Sequence, residues 1–315
     1  MKPSSLRIGT RGSALALWQA EWVKRSLEQA HPGLRVEMTI IKTKGDKILD
    51  VPLAQVGGKG LFVKEIEDRL LDGTIDVAVH SMKDMPAQIP AGLCIGAIPK
   101  REVPVDVLVS HTAGSLKEIR PGGRIGTSSL RRSAQLKHLR PDVEVVSLRG
   151  NLDTRIRKLS TESLDGILVA AAGMIRLGME ERITERLDPD RFLPAVGQGA
   201  LSIEIREQDE ATRAYIDPLD DASTRLCVMA ERAFLDRLEG GCQVPLAAYA
   251  RLTDGVLHID GLVASLDGRT LIRRHASGPP ADAETLGVGL AEALLAGGAD
   301  ILLKELNAYA DFSKR

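Results

Sequence analysis

The chain has 315 residues, 43% hydrophobic and 27% charged, with a formal net charge of −1. That is the composition of a globular protein of two to three domains. A net charge near zero and only 3% aromatic residues speak against a nucleic-acid partner, and the longest apolar stretch, around residues 167–175, is too short to span a membrane.

The N-terminus, MKPSSLRIGT, has no apolar signal core, so the cytoplasm is the expected compartment. Leu6-Arg7-Ile8 predicts a strand. Gly9-Thr10-Arg11-Gly12-Ser13 predicts a tight turn, with Ser13 capping a helix whose buried stripe is Leu15, Trp18 and Trp22. Residues 34–41 alternate as a strand through Leu34, Val36, Met38 and Ile40. Residues 42–60 hold four glycines and four lysines and predict a long lid loop that brings Lys59 to a pocket. A helix is expected from Leu61, using Phe62, Ile66 and Leu70, with Gly73 ending it.

The apolar run at residues 75–79 predicts a buried parallel strand, opening into His80-Ser81-Met82-Lys83-Asp84-Met85-Pro86. Ligands in open α/β sheets bind beyond the carboxyl ends of strands, which makes Asp84 a candidate catalytic carboxylate. The competing reading is an ordinary turn aspartate before proline, and His80 reads better as a packed core histidine than as a base. Residues 99–110 read as a crossover into a second lobe. The tetrapeptide RIGT at 7–10 recurs at 124–127, again before a serine-capped helix, and suggests two related α/β lobes.

Residues 124–158 carry seven arginines and two lysines against three acids. Arg131 and Arg132 fall in the first turn of a helix capped by Ser129. Cations are disfavoured there unless an anion from elsewhere neutralises them. A second strand ends at Arg149-Gly150-Asn151, and Arg155 follows one turn into the next helix. Two strand ends and two helix starts thus aim guanidinium groups at one place, which suggests a pocket for a ligand with several carboxylates or phosphates. Planar arginine forks suit carboxylates. A further strand from Gly166 opens at Gly173 and places Arg176 past its end. Residues 194–206 return the chain to lobe one. GQGALS lacks the third glycine of a dinucleotide fingerprint and no Walker loop occurs, so no nucleotide is assigned.

From Asp220 a helix, then three strands with hairpin turns at Asp254-Gly255 and Asp267-Gly268, then two apolar helices predict a separate α+β domain. The three cysteines have no metal-type spacing, and no metal is assigned. Cys94 and Cys227 read as core residues. Cys242, after Gly240-Gly241, reads either as a covalent anchor or as a plain loop cysteine, since no histidine is near in sequence to activate a nucleophile.

The block ERAFLDRLEGGCQVPLA (231–247), with RIGTRGSALAL, GDKILD, GGKGLFVKE, AVHSMKDMP, GTSSLRRSAQL, RGNLDTR and LPAVGQGAL, closely resembles the hydroxymethylbilane synthase family, also called porphobilinogen deaminase, across the whole chain. One departure is Gln55, where many members carry lysine. The resemblance implies two type II periplasmic-binding-protein-like α/β lobes around a cleft, plus a C-terminal α+β domain with a three-stranded antiparallel sheet. The lobes would be 1–99 with 200–217, and 105–193, followed by a domain at 222–315. It implies a cytoplasmic, monomeric transferase of tetrapyrrole biosynthesis that joins four porphobilinogen molecules head to tail with loss of ammonia, on a dipyrromethane primer bound to Cys242 by a thioether. Asp84 would be catalytic. Lys83, Thr127, Ser129, Arg131, Arg132 and Arg155 would hold the cofactor. Arg11, Ser13, Lys59, Phe62, Arg149, Arg155, Arg176 and Gln198 would hold substrate. The rival readings are a non-catalytic small-polyanion-binding protein of the type II solute-binding class, and a transferase with Cys242 as a turnover nucleophile.

Overall fold

The structure, a computed structural model, describes residues 5–47, 60–238 and 244–312. The described residues divide into two compact units: those within Met1–Leu49, Gly58–Glu102 and Gly199–Arg225 form one, and those within Val103–Gln198 and Leu226–Arg315 the other.

The first unit opens with β1 (Ser5–Thr10), β2 (Arg35–Ile40), β3 (Val77–Ser81) and β4 (Leu93–Ala97). β1 lies between β2 and β3 and runs parallel to both. The second unit repeats this arrangement. Its strands are β5 (Asp106–Val109), β6 (Arg124–Gly126), β7 (Glu144–Val146), β8 (Gly166–Ala170) and β9 (Glu185–Arg186), in the order β7-β6-β8-β5-β9. β6 is parallel to β7 and β8, and β5 is antiparallel to β8 and β9. The chain then supplies β10 (Leu201–Arg206) to the first sheet, antiparallel between β3 and β4. The two RIGT tetrapeptides therefore occupy equivalent positions, on the middle strand of each parallel trio and before helices capped by Ser13 and Ser129. Each cap accepts a backbone N–H three residues on.

Both faces of the first sheet are covered. Leu6, Ile8, Val77, Val79, Ile203 and Ile205 pack on Ala20, Val23 and Leu27 of the helix Ala14–Ala30. On the other face, Ala78 and Ile75 meet Ile66 and Leu70 of the helix Lys64–Leu71. In the second unit β11 (Leu246–Thr253), β12 (Val256–Ala264) and β13 (Leu271–Gly278) form an antiparallel sheet. Its core is closed by Phe234, Leu290 and Leu294. Asp254 and Gly255 both have positive φ, 50° and 77°, as the tightest hairpin turn requires.

Several expectations need correction. The buried stripe of the first helix is Ala16, Gln19, Ala20, Val23 and Leu27, while Leu15, Trp18 and Trp22 are half-buried. β2 is an edge strand, so Met38 and Ile40 are exposed and the alternation buries only Leu34 and Val36. The helix expected from Leu61 starts at Lys64, because Gly60 takes φ +79° and turns the chain first. Arg176 does not follow a strand; it ends the short helix Ala171–Arg176 and is buried. A second segment bears on the membrane question: Pro280–Leu306, though interrupted by charges, is long and apolar enough by length and composition to cross a membrane. Its backbone is broken at Gly298, φ +99°, and Leu290, Ala291 and Leu294 are buried in the sheet's core.

Candidate functional site

In the first unit, β3 ends at Ser81 and a single 3-10 turn, Met82–Asp84, follows. The Met82 amide donates to the Ala200 carbonyl beside β10, which pins the turn to the sheet. Asp84 is half-buried and lines a concavity with Arg11, Ser13, Gln19, Phe62, His80 and Ser81. Its carboxylate makes no hydrogen bond or ion pair among the described residues. Lys83 beside it is also half-buried. Gln19 Nε2 donates to Ser81 Oγ at 2.9 Å, so the helix and the strand end that form the wall are joined.

The Arg11 guanidinium lies over the Phe62 ring, 4.3 Å from its centroid, and is paired with Asp46. Burial works to raise the Asp46 carboxyl. The Arg11 guanidinium and the Thr43 hydroxyl outweigh it and hold the group below its ordinary range. Below this concavity lies a buried polar cluster that the sequence reading missed. His80 Nε2 is 3.0 Å from Glu204 Oε2, and both side chains are almost fully enclosed. His80 is thus a packed core histidine, as expected. Glu67 packs beside them, and burial together with the Glu204 charge pushes its carboxyl up to about 7. Glu67 Oε1, Glu204 Oε1 and Ser202 Oγ have no hydrogen-bond partner among the described residues.

In the second unit Arg131 and Arg132 do converge, but on the chain's own Asp106. Arg131 Nη1 reaches Asp106 Oδ2 at 2.6 Å, and Arg132 contacts Oδ1 through Nε at 2.8 Å and Nη2 at 2.7 Å. Asp106 is fully buried, and both arginine side chains are only 6% exposed. Further donors are spent on backbone carbonyls, Arg131 on Leu193 and Arg132 on Leu168. Gln198 Nε2 also donates to Asp106, at 3.0 Å. Burial alone would raise the Asp106 carboxyl; the two guanidinium groups overwhelm that and hold it far below its usual range. Here is the neutralising anion that two cations in a helix's first turn require. The sequence carried one signal for it, a lone charge inside the apolar run VPVDVLV.

Arg155 Nε donates to the Gly150 carbonyl at 2.8 Å. Arg149 is half-buried without a side-chain partner among the described residues. Thr127 and Ser129 sit at the start of the helix Leu130–Leu139, where Thr127 Oγ1 accepts from the Ser129 amide and Ser129 Oγ from the Arg132 amide. Each hydroxyl keeps its own proton to donate. Lys59, Gln55 and Cys242 lie outside the described residues.

The buried cluster of two arginines and one aspartate carries one positive charge in excess. Such a charge is unfavourable away from water unless another anion shares it. The donor set therefore fits a ligand that brings a carboxylate to the start of this helix.

A family model described as "Porphobilinogen deaminase, dipyromethane cofactor binding domain" matches residues 6–214, and one described as "Porphobilinogen deaminase, C-terminal domain" matches residues 225–296. The chain is 59% identical over 307 residues to the porphobilinogen deaminase of Syntrophotalea carbinolica, covering 98% of each chain. It is 55% identical over 301 residues to that of Syntrophobacter fumaroxidans, covering 96% of this chain and 97% of the relative. Among solved structures it is similar to the periplasmic VFT2 domain of Bordetella pertussis BvgS, with a TM-score of 0.39 and 13% identity over 68% of this chain and 86% of that one.

Proposed function

The chain belongs to the porphobilinogen deaminase family, and from that premise we propose that Asp84 is its catalytic carboxylate, with the arginines of the second unit as its cofactor grip. The enzyme is a transferase of tetrapyrrole biosynthesis. It joins four porphobilinogen molecules head to tail, releases ammonia, and yields the linear hydroxymethylbilane. The single observation that carries the assignment of Asp84 is a half-buried carboxylate, at a strand end in a concavity, with no partner among the described residues. A charge kept unpaired at such a place is available to a substrate cation.

Loss of ammonia from porphobilinogen leaves positive charge on the pyrrole ring. A fixed carboxylate beside the ring nitrogen stabilises that charge as it develops. The same group accepts and returns a proton when the new bond is relieved of its own charge. Arg11, Ser13 and Phe62 line the same concavity, where Arg11 is the fork for a substrate acetate or propionate and Phe62 covers it. Lys83, Lys59, Arg149, Arg155, Arg176 and Gln198 complete the proposed binding set for substrate and cofactor acids.

The dipyrromethane, bound through Cys242, supplies the pyrrole position to which substrate units are added. Arg131 and Arg132, held by Asp106, would take a carboxylate of that group, and the Thr127 and Ser129 hydroxyls would donate to it. The excess positive charge of the buried cluster supports this reading. The polyanion-binding alternative is not favoured, because the relatives matched over nearly the whole chain are porphobilinogen deaminases. We read the protein as a cytoplasmic monomer without nucleic-acid or membrane partners.

Intact-mass measurement tests the reading. The purified chain should be heavier than its sequence by two linked pyrrole units, and Cys242→Ser should lack them. Asp84→Asn should keep the added mass and lose about 10²–10⁴-fold in turnover. Turnover within a factor of two of wild type would remove Asp84 from the chemistry, and an unmodified wild-type chain would remove the anchored cofactor.

A further inference from the structure

Arg11 is the meeting point of two chain segments that flank residues 48–59. From one side, Asp46 in the helical turn Lys44–Lys47 binds the guanidinium through Oδ1, with Arg11 Nε at 3.1 Å and Nη2 also engaged. Its other oxygen, Oδ2, accepts from the Thr43 amide at 3.2 Å and the Thr43 hydroxyl at 2.8 Å. From the other side, Phe62 lies over the same guanidinium. The segments are clasped to each other as well: the Gly45 amide donates to the Leu61 carbonyl at 2.9 Å, and the Lys44 amide to Glu65 Oε1 at 3.1 Å. Gly45 must be glycine for this approach, since a Cβ there would stand 2.2 Å from Phe62 Cε1. Arg11 and Phe62 line the concavity of Asp84; Asp46 is not among its lining residues.

We propose that Asp46 is a positioning residue that holds Arg11 in place of a substrate carboxylate and yields it when a porphobilinogen carboxylate arrives, which loosens the clasp of residues 43–46 on residues 60–65. The inference rests on the reading of Arg11 as a substrate ligand. Exchange of one carboxylate for another at a guanidinium keeps the number of charge-assisted bonds constant. Asp46 retains Thr43 as a partner after it leaves, and both members of the pair are already about a quarter exposed, so water reaches them. The Gly45–Leu61 and Lys44–Glu65 bonds lie beside the ion pair, so its loss removes one of the ties that keep the two segments together. Coupling is reciprocal: what Asp46 withholds from substrate affinity, substrate withholds from the clasp.

The test uses the cofactor-loaded enzyme. Asp46→Asn keeps an oxygen to accept from Thr43 but gives no charge to Arg11. An exposed or half-exposed ion pair contributes roughly 0.2–1 kcal/mol, so KM for porphobilinogen should fall by up to about fivefold. A merely structural role predicts the opposite, a raised KM. Thr43→Val, which weakens the turn and leaves the ion pair, should not lower KM. Hydrogen exchange on the wild-type holoenzyme decides the matter even where the variants fold poorly: saturating porphobilinogen should speed exchange at the Gly45 amide. A raised KM in Asp46→Asn, or a Gly45 amide indifferent to substrate during turnover, overturns the proposal. A wild-type holoenzyme that consumes no porphobilinogen overturns the functional reading itself, which is a distinct result.

Discussion

Asp106→Asn is the substitution with the largest consequence worked from this structure. The asparagine has the same shape and fits the same space. It removes the carboxylate that, among the described residues, pairs with two guanidinium groups whose side chains are each 6% exposed. One of its two arms also presents N–H donors to arginine donors. Removing one partner of a buried ion pair costs about 3–5 kcal/mol, because the other charge is left buried and uncompensated. Here two charges are left. Against a typical total stability of ~5–15 kcal/mol, that takes a large fraction from the second unit. Urea unfolding of the holoenzyme, followed by fluorescence and by circular dichroism, measures the loss. A cofactor carboxylate at the arginine pair would partly replace the missing charge, so the chain without cofactor should suffer more than the holoenzyme. The pH dependence has a definite sign. The two guanidinium groups hold the native Asp106 carboxyl far below the usual carboxylate range, so its stabilisation is present above that range and is lost as pH falls below it. The variant should lack this acid-side decline. A loss under about 1 kcal/mol, equal with and without cofactor, would refute the account of a buried cluster one anion short.

The opposite sign applies at Glu67. Its native carboxyl is raised from 4.5 to about 7, so the stabilisation of its protonated form is complete below 4.5 and fades as pH rises to about 7. Glu67→Gln should flatten the stability profile across that window, by an amount on the order of 2–3 kcal/mol between its ends. A profile that keeps the wild-type slope would show that Glu67 is not the group titrating. Gly268 and Gly255 form a matched pair of turn glycines with φ +74° and +77°. An added Cβ at Gly268 would stand 2.5 Å from the Ala134 carbonyl oxygen, whereas at Gly255 nothing lies within 4 Å. Gly255→Ala should cost about 1 kcal/mol, and Gly268→Ala clearly more, with a correspondingly larger drop in Tm. Equal drops would mean that the hairpin does not seat on the helix Leu130–Leu139. Asn151 caps the helix Leu152–Thr161 by accepting from the Thr154 amide at 2.9 Å. Asn151→Ala should lower stability by about 1 kcal/mol in the same denaturation assay, and no change would mean that the cap is idle.

The amino-acid order by itself determined the features that depend on neighbours a few residues apart. Ser13, Ser129 and Asn151 cap their helices because each side-chain oxygen reaches an amide three residues on. Asp254-Gly255 makes its hairpin because both backbone conformations suit those residues, and the recurrence of RIGT matched a real repetition of strand order in two sheets. The placement of Asp84 at a strand end was legible for the same reason. Only the tertiary structure decided which charges face one another. Asp106 and Arg131 are 25 residues apart, Arg11 and Asp46 are 35, and His80 and Glu204 are 124. No spacing rule joins such pairs. Their partners are selected by strands and helices that bring distant segments together, and the cost of burying a charge then makes the enclosed Asp106–Arg131 pairing obligatory. Periodicity misjudged the first helix and β2 on the same ground: a side chain's burial depends on how close the next layer lies and on whether its strand is an edge, and neither is written in the local pattern.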